Sequence, residues 1–224
     1  MENSATLRKC FREPIPELMD VARYLDAAVS AHLAGHTKTA EDLFALANCS
    51  AAREWLESIW GKRSPYVKIN RLPPPAVTER VQARMPTVAQ KKQLLVRDGY
   101  RCRFCGIPVI RPEVRKRAVE LYPLTVSWGT TNKSQHAGFQ ALWAQYDHVV
   151  PHSCGGTNDI ENLVVTCAAC NFGKMSYRIE ELGLIDPRDF PPIRSEWNGP
   201  ERLLAGAPNN SFKPTPLRGV GKAS

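Results

Sequence analysis

Apolar residues recur at three- and four-residue spacing over the first sixty positions of the chain. One such run extends from Ile15 to about Leu33, a second follows Thr39, and a third begins near Ser50. This spacing predicts amphipathic helices, so residues 1–70 are interpreted as an N-terminal helical region. The apolar stripe of the third run is expected to pack into a core, with a partner-binding face as the alternative. The third run carries Ala52, Trp55, Leu56, Ile59 and Trp60.

Prolines interrupt this helical pattern. Four of them fall within residues 64–76, and each fixes its own backbone and removes a hydrogen-bond donor. Residues 71–86 are therefore predicted to form a linker between two domains. A further helix is predicted from Thr87 to Arg97, and it ends at the turn signal Asp98-Gly99.

The pattern after this helix favours strands. Residues 141–150 predict one strand, and the apolar run 163–166 predicts a second. The loop between them holds Gly155-Gly156, which permits a tight, irregular path. A helix is expected after Cys167, with Asn171, Lys174 and Arg178 on one face. Strand, loop, strand and helix in this order, preceded by helices, predict an α+β protein.

Four of the seven cysteines stand in two Cys-x-x-Cys pairs that bracket the first predicted strand. A tetrahedral zinc ion accepts four thiolates, and a site closed in this way is structural and not catalytic. The ligands are predicted to be Cys102, Cys105, Cys167 and Cys170.

The first twelve residues are polar, and no window resembles a signal peptide or a membrane span. A cytoplasmic location without membrane association is therefore expected, where thiols stay reduced and paired cysteines favour metal over disulfides.

The chain carries a net charge of +8, which favours a polyanionic partner such as nucleic acid, with simple solubility as the alternative. Residues 91–120 are the most basic stretch and surround the first cysteine pair. Phosphate contact is favoured there over a solvated helix face.

Between the cysteine pairs lies an Asp147-His148 dipeptide, and Asn171 directly follows the second pair. Hydrolysis of a phosphodiester needs an activated water and neutralisation of the developing charge. Histidine can take a proton from water near neutral pH. A carboxylate and an amide oxygen can hold a hard divalent cation. These three residues therefore suit a nuclease, with His148 as the base and the other two as oxygen ligands.

The stretch from Arg97 to Lys174 resembles an HNH endonuclease of the ββα-metal type, in its zinc-stabilised form. The resemblance covers about a third of the chain. The matching elements occur in the family's order. They are Asp-Gly-Tyr-x-Cys-x-x-Cys-Gly, Asp-His-Val-Val-Pro, Gly-Gly-Thr-Asn-Asp, Glu-Asn-Leu-Val and Cys-x-x-Cys-Asn-x-x-Lys.

This resemblance implies a role for each matching position. His148 would be the general base, and Asp147 and Asn171 would hold the catalytic Mg²⁺ or Mn²⁺. Asn162 would brace the loop and orient the histidine, and Lys174 would approach a phosphate or close the site. The implied activity is metal-dependent hydrolysis of DNA that leaves 5′-phosphate and 3′-hydroxyl ends.

The resemblance also implies domain limits. The nuclease domain would span residues 87–190, with an insertion at about 111–140. Composition, and not the resemblance, predicts that residues 191–224 form a flexible tail, because positions 208–224 are rich in Pro, Gly, Asn and Ser and lack periodicity. The insertion holds Arg115-Lys116-Arg117 and several aromatics. The aromatics are interpreted as anchors of the insertion to the core. The alternative is that the basic residues and the aromatics together clamp a nucleic acid strand.

Several alternatives stay open. His152 is interpreted as a loop histidine without a catalytic role, although contact with phosphate or metal is the other interpretation. DNA is the expected partner, with RNA as the alternative. The zinc fold could bind nucleic acid without cutting it, or act as the nuclease subunit of a larger complex. A homodimer or a protein partner bound through the N-terminal helices would fit the latter.

Overall fold

The computed structural model describes residues 7–60, 63–73 and 85–205. This part of the chain contains seven α-helices and one two-stranded antiparallel sheet, which confirms the predicted α+β class. Side chains from every one of these elements enter a continuous hydrophobic core. Among the described residues, no helix combines the length and apolarity needed to cross a membrane.

The N-terminal region forms three helices, as the periodicity predicts. They are α1 (Glu17–Leu33), α2 (Thr37–Leu46) and α3 (Ser50–Ser58). Their apolar stripes are buried, so they serve core packing. Trp60 differs, because it lies beyond the end of α3 and is 37% exposed.

The middle of the chain supplies three further helices. Helix α4 (Val88–Arg97) begins at a reciprocal capping box between Thr87 and Gln90. Helix α5 (Pro112–Leu121) has proline in its first turn, and α6 (Ala137–Ala141) is a short helix capped by His136.

The last three elements form the predicted ββα unit. Strand β1 (Ala144–His148) pairs antiparallel with β2 (Leu163–Cys167), and α7 (Ala168–Lys174) follows β2 directly. Asp147 faces Val164 across this pair, and His148 faces Leu163. Every residue of β2 is buried, so the sheet is held between α7 and the rest of the core.

The insertion is anchored to the core, as interpreted from the sequence. The Arg115 guanidinium carbon lies 3.6 Å from the ring centre of Trp128 and 5.1 Å from that of Trp143. Arg115 is only 7% exposed, and its burial lowers its pKa to about 10. Phe44 of α2 stacks on Phe139 of α6, with ring centres 6.2 Å apart. The insertion thus joins the N-terminal helices to the sheet, and the clamp alternative is wrong for Arg115.

The prediction of a flexible tail from residue 191 onward is wrong for residues 191–205, which pack against the rest of the protein. Glu201 accepts a hydrogen bond from the Tyr100 hydroxyl at 2.9 Å and pairs with Arg111 at 3.0 Å. Arg202 pairs with Asp26 of α1 at 2.8 Å, and Leu203 is buried. The pattern misleads because this segment is proline-rich and aperiodic, yet it is fixed by side chains distant in sequence. Residues 206–224 lie outside the described part.

Arg178 does not share a helical face with Asn171 and Lys174. Helix α7 ends at Lys174, and Met175 follows with a positive φ of 53°. Arg178 instead pairs with Glu181 at 3.6 Å. The domain limits at residues 70 and 87 stay a prediction, because residues 74–84 of the linker lie outside the described part.

Candidate active site and metal centre

The two cysteine pairs converge on one point. The Sγ atoms of Cys102, Cys105, Cys167 and Cys170 all lie within 4.8 Å of one another. The sulfurs of Cys105 and Cys167 are 3.6 Å apart. Zinc–sulfur bonds of about 2.3 Å in a tetrahedron place sulfurs roughly 3.8 Å apart. Donor number, donor chemistry and spacing therefore all fit a tetrahedral zinc ion with no open position.

Local backbone geometry points the first pair inward. The Gly106 N–H donates to the Cys102 carbonyl at 2.9 Å, which closes a tight turn over the two cysteines. Gly106 then leaves this turn with a φ of +77°, a conformation that favours glycine. At the second pair, the Cys167 sulfur accepts from the Cys170 N–H at 3.4 Å and so caps α7.

The first cysteine turn is docked on β2 by a buried carboxylate. Asp98 is 1% exposed and accepts the Val165 N–H at 2.8 Å, while the Arg103 N–H donates to the Val165 carbonyl at 2.8 Å. Arg97 forms two hydrogen bonds to Asp98, at 2.8 and 2.9 Å. Arg97 and Arg103 therefore stabilise the fold. Fewer side chains of the basic stretch 91–120 are available to contact phosphate than the composition of that stretch suggests.

His148 lies at the end of β1 and is 8% exposed. Its Nε2 lies 2.7 Å from the Asn158 Oδ1. Because a carbonyl oxygen only accepts, Nε2 carries the hydrogen and Nδ1 is the basic nitrogen of the neutral ring. Gln90 of the α4 capping box holds Asn158 in turn. The Gln90 Nε2 donates a hydrogen bond to the main-chain carbonyl of Asn158 at 3.1 Å. The loop and α4 together fix the ring.

Asn162 ties the loop after β1 to the start of β2. Its Oδ1 accepts the Val150 N–H at 2.8 Å, and its Nδ2 donates to the carbonyls of Val150 and Thr157 at 3.1 and 2.8 Å. Gly156 is required in this loop, because a Cβ there would lie 1.8 Å from the Val150 carbonyl oxygen. These contacts hold the two ends of the loop together, and the role in orienting His148 that the resemblance implies for Asn162 stays a prediction.

Lys174 is fully buried and lies between the two residues of the dipeptide. Its Nζ donates to the His148 carbonyl at 2.8 Å and lies 3.3 Å from the Asp147 Oδ2. Burial raises the pKa of Asp147, and the lysine partly offsets that rise. Of the two roles implied for Lys174, closing the site agrees with this burial, whereas contact with a bound phosphate would require Lys174 to become exposed.

An open cleft of about 900 Å³ brings the predicted residues together. Asp147, His148 and Asn171 all line it, and so does His152, whose ring centre is 6.3 Å from that of His148. Asn162 and Lys174 support this cleft from behind. His152 thus lies close enough to contact a substrate, and its role stays open.

Asp147 and Asn171 fit a divalent cation by their donor chemistry. The Asp147 Oδ2 is buried and makes no hydrogen bond within the described residues, because the nearby Lys174 amine is poorly aligned with it. No hydrogen bond to a described residue engages the Asn171 side chain, which is half-buried at the cleft. One carboxylate and one amide oxygen are hard ligands, and Mg²⁺ typically completes its shell with water and phosphate oxygens.

Sequence reasoning missed three residues that shape this site. Asn158 bonds the histidine, Asp98 docks the cysteine turn, and Trp60 lines the cleft from the N-terminal region. The sequence marks Asp98 as a turn signal at the start of the Asp-Gly-Tyr-x-Cys-x-x-Cys-Gly element, and Trp60 as part of a core stripe. Asn158 sits in the Gly-Gly-Thr-Asn-Asp element, so its place in a motif was the available signal.

Comparison with protein families agrees with this geometry. Residues 138–181 match the HNH endonuclease family model, a stretch that includes β1, the loop, β2 and α7. That family acts on nucleic acids. Neither the comparison with curated proteins nor that with solved structures finds a match. The match covers the ββα unit and the second cysteine pair, and it leaves the N-terminal helices unassigned.

Proposed function

We propose that this protein is a metal-dependent endonuclease that hydrolyses phosphodiester bonds of DNA. The observation that carries the proposal is that Asp147, His148 and Asn171 line one cleft, on a ββα unit matched by the HNH endonuclease model. The four-cysteine site lies at the base of the same unit. Bound zinc there would fix the start of α7, and therefore the position of Asn171.

His148 acts as the general base. With Nε2–H donated to Asn158, the Nδ1 lone pair is free to take a proton from the attacking water. Proton removal by a positioned base contributes roughly 10²–10⁴-fold to a rate. Asn158 and Asn162 act on the ring and on its loop, so they are positioning residues.

Asp147 and Asn171 would hold the catalytic cation, with Mg²⁺ or Mn²⁺ as the expected ions. A cation bound there would polarise the phosphate and stabilise the leaving 3′-oxygen. Lys174 fixes the Asp147 carboxylate and the end of β1 with one buried amine. The 5′-phosphate and 3′-hydroxyl ends follow from the family resemblance.

Nucleic acid as substrate agrees with the net charge of +8. DNA is proposed as the substrate, and RNA is the alternative that a parallel cleavage assay decides. Supercoiled plasmid incubated with the zinc-loaded full chain should be nicked in Mg²⁺ or Mn²⁺ and not in EDTA. DNA binding without cutting in any cation would instead favour a zinc-containing binding module.

A further inference from the structure

One wall of the cleft is aromatic and comes from two distant parts of the chain. The Trp60 and Phe172 rings stack with centres 4.5 Å apart and an interplanar angle of 22°. Phe172 directly follows Asn171 and is held by Trp143, whose ring centre is 6.5 Å away. Both rings line the cleft, and Trp60 keeps 37% of its surface exposed. We call this pair the Trp60–Phe172 wall.

This wall has the properties of a stacking platform. Phe172 covers one side of the indole and limits its motion, so a second ring can stack on Trp60 at a small entropic cost. Tryptophan is usually highly buried, and an exposed one at a cleft often marks a binding site. A tryptophan can instead serve core packing, as Trp55 of the same region does, since it is only 1% exposed.

The charge around the wall suits a polyanionic strand. Among the described residues that line the cleft, Asp147 is the single acidic one, and it is paired with Lys174. The Lys91 amine lies over the ring of Tyr146, another lining residue, at 5.6 Å from its centre. An aromatic surface near a cation is a combination by which proteins bind single-stranded nucleic acid.

We propose that Trp60 stacks on a nucleobase next to the phosphate that is cleaved, which makes the N-terminal region part of the substrate site. This inference rests on the proposed nuclease function, because His148, Asp147 and Asn171 place that phosphate in the same cleft. A base can stack on Trp60 only if one of its faces is uncovered. In a duplex both faces of a base are covered by its neighbours, so the preferred substrate is single-stranded or locally unpaired DNA.

Binding can be measured apart from cutting in a His148→Ala background. The probes are a labelled single-stranded oligonucleotide and the matching duplex, each titrated with the full zinc-loaded chain. Stacking on one aromatic side chain contributes about 1–3 kcal/mol per base, so Trp60→Ala should weaken single-strand binding by about 5- to 150-fold. Duplex binding should change less than twofold, and Trp60→Phe should retain most of the single-strand affinity.

A matched control is Leu46→Ala, which removes an exposed apolar side chain from α2 that does not line the cleft. Its binding should equal that of the background, and thermal melting should show all variants folded. The proposal would be overturned if Trp60→Ala bound the single strand as tightly as the background protein does. It would also be overturned if Trp60→Ala lost the same affinity for the duplex as for the single strand.

Oligonucleotides with one abasic position identify the contact directly. At one position, removal of the base should weaken binding to the His148→Ala protein. The same removal should not change binding to the variant that also carries Trp60→Ala, because the base and the indole form a single stacking interaction that either change abolishes. Additive losses at every position would contradict stacking. These binding measurements need no cleavage. A wild-type protein that cuts no DNA would refute the proposed nuclease function, whereas the binding titrations alone decide whether a base stacks on Trp60.

Discussion

The His148 Nε2 and the Asn158 Oδ1 lie 2.7 Å apart, and this contact fixes which ring nitrogen can act as a base. An amide oxygen accepts a hydrogen bond from neutral and protonated histidine alike. It therefore orients the ring throughout the reaction. The contact also joins the active site to α4 through Gln90, outside the matched segment 138–181.

Asn158→Ala should slow cleavage by about 10-fold or more, a part of the 10²–10⁴-fold that a positioned base contributes. DNA affinity should stay unchanged, because Asn158 acts on the histidine. Asn158→Asp should restore much of the rate, since a carboxylate accepts the same hydrogen bond. Single-turnover cleavage and separate binding titrations measure the two effects. A rate for Asn158→Ala equal to wild type would refute the positioning role.

Cys102→Ser should remove bound zinc and abolish cooperative folding of the ββα unit. Structural zinc contributes apparent free energies of about 10–16 kcal/mol in small zinc domains, as much as a whole domain's stability. Metal content and thermal melting provide the readout. The matched control is Cys154→Ser, a half-buried cysteine outside the four-cysteine site. Full zinc content and an unchanged melt in Cys102→Ser would contradict the site.

Lys174→Met should destabilise the protein by about 3–5 kcal/mol, because it leaves the buried Asp147 carboxylate without its cation. Denaturant unfolding at neutral pH measures the loss. Lys116→Met, at an exposed position of α5, should change stability by less than about 0.5 kcal/mol. Equal stabilities of the two variants would show that the buried amine does not stabilise this site.

His136 should make the protein less stable as the pH falls below neutrality. Its Nε2 donates to the Phe44 carbonyl at 2.8 Å and its Nδ1 accepts the Phe139 N–H at 3.3 Å, so the buried ring is neutral. Burial lowers its pKa from 6.5 to about 4. As the pH falls, the histidine of the unfolded chain binds a proton before the buried ring does. The contribution of neutral His136 to the free energy of unfolding is therefore full above pH 6.5 and is lost progressively towards pH 4.

The pH test compares unfolding free energies at pH 6.5 and pH 5. Wild type should lose about 1.5 kcal/mol more than His136→Gln over this range, since the variant lacks the titrating ring. His36→Gln, at an exposed position, should follow wild type. The same pH slope in His136→Gln and wild type would contradict the assignment.

Sequence reasoning located the ββα unit and the cysteine site because both depend on local spacing. Two residues between paired cysteines, or a short apolar run such as residues 163–165, determine geometry over a few positions. Asn158, Arg115 and Trp60 could not be assigned in this way, because each acts through a partner distant in sequence or across a loop. The packed segment 191–205 was misjudged for the same reason, since its composition is that of a loop.

Base catalysis by His148 is the central claim, and plasmid cleavage by wild type and His148→Ala tests it most directly. With Mg²⁺ or Mn²⁺, wild type should convert supercoiled plasmid to the nicked form. His148→Ala should be slower by about 10²–10⁴-fold, with unchanged zinc content, melting and DNA affinity. Equal nicking rates for the two proteins, or a wild type that cuts in neither cation, would contradict the account.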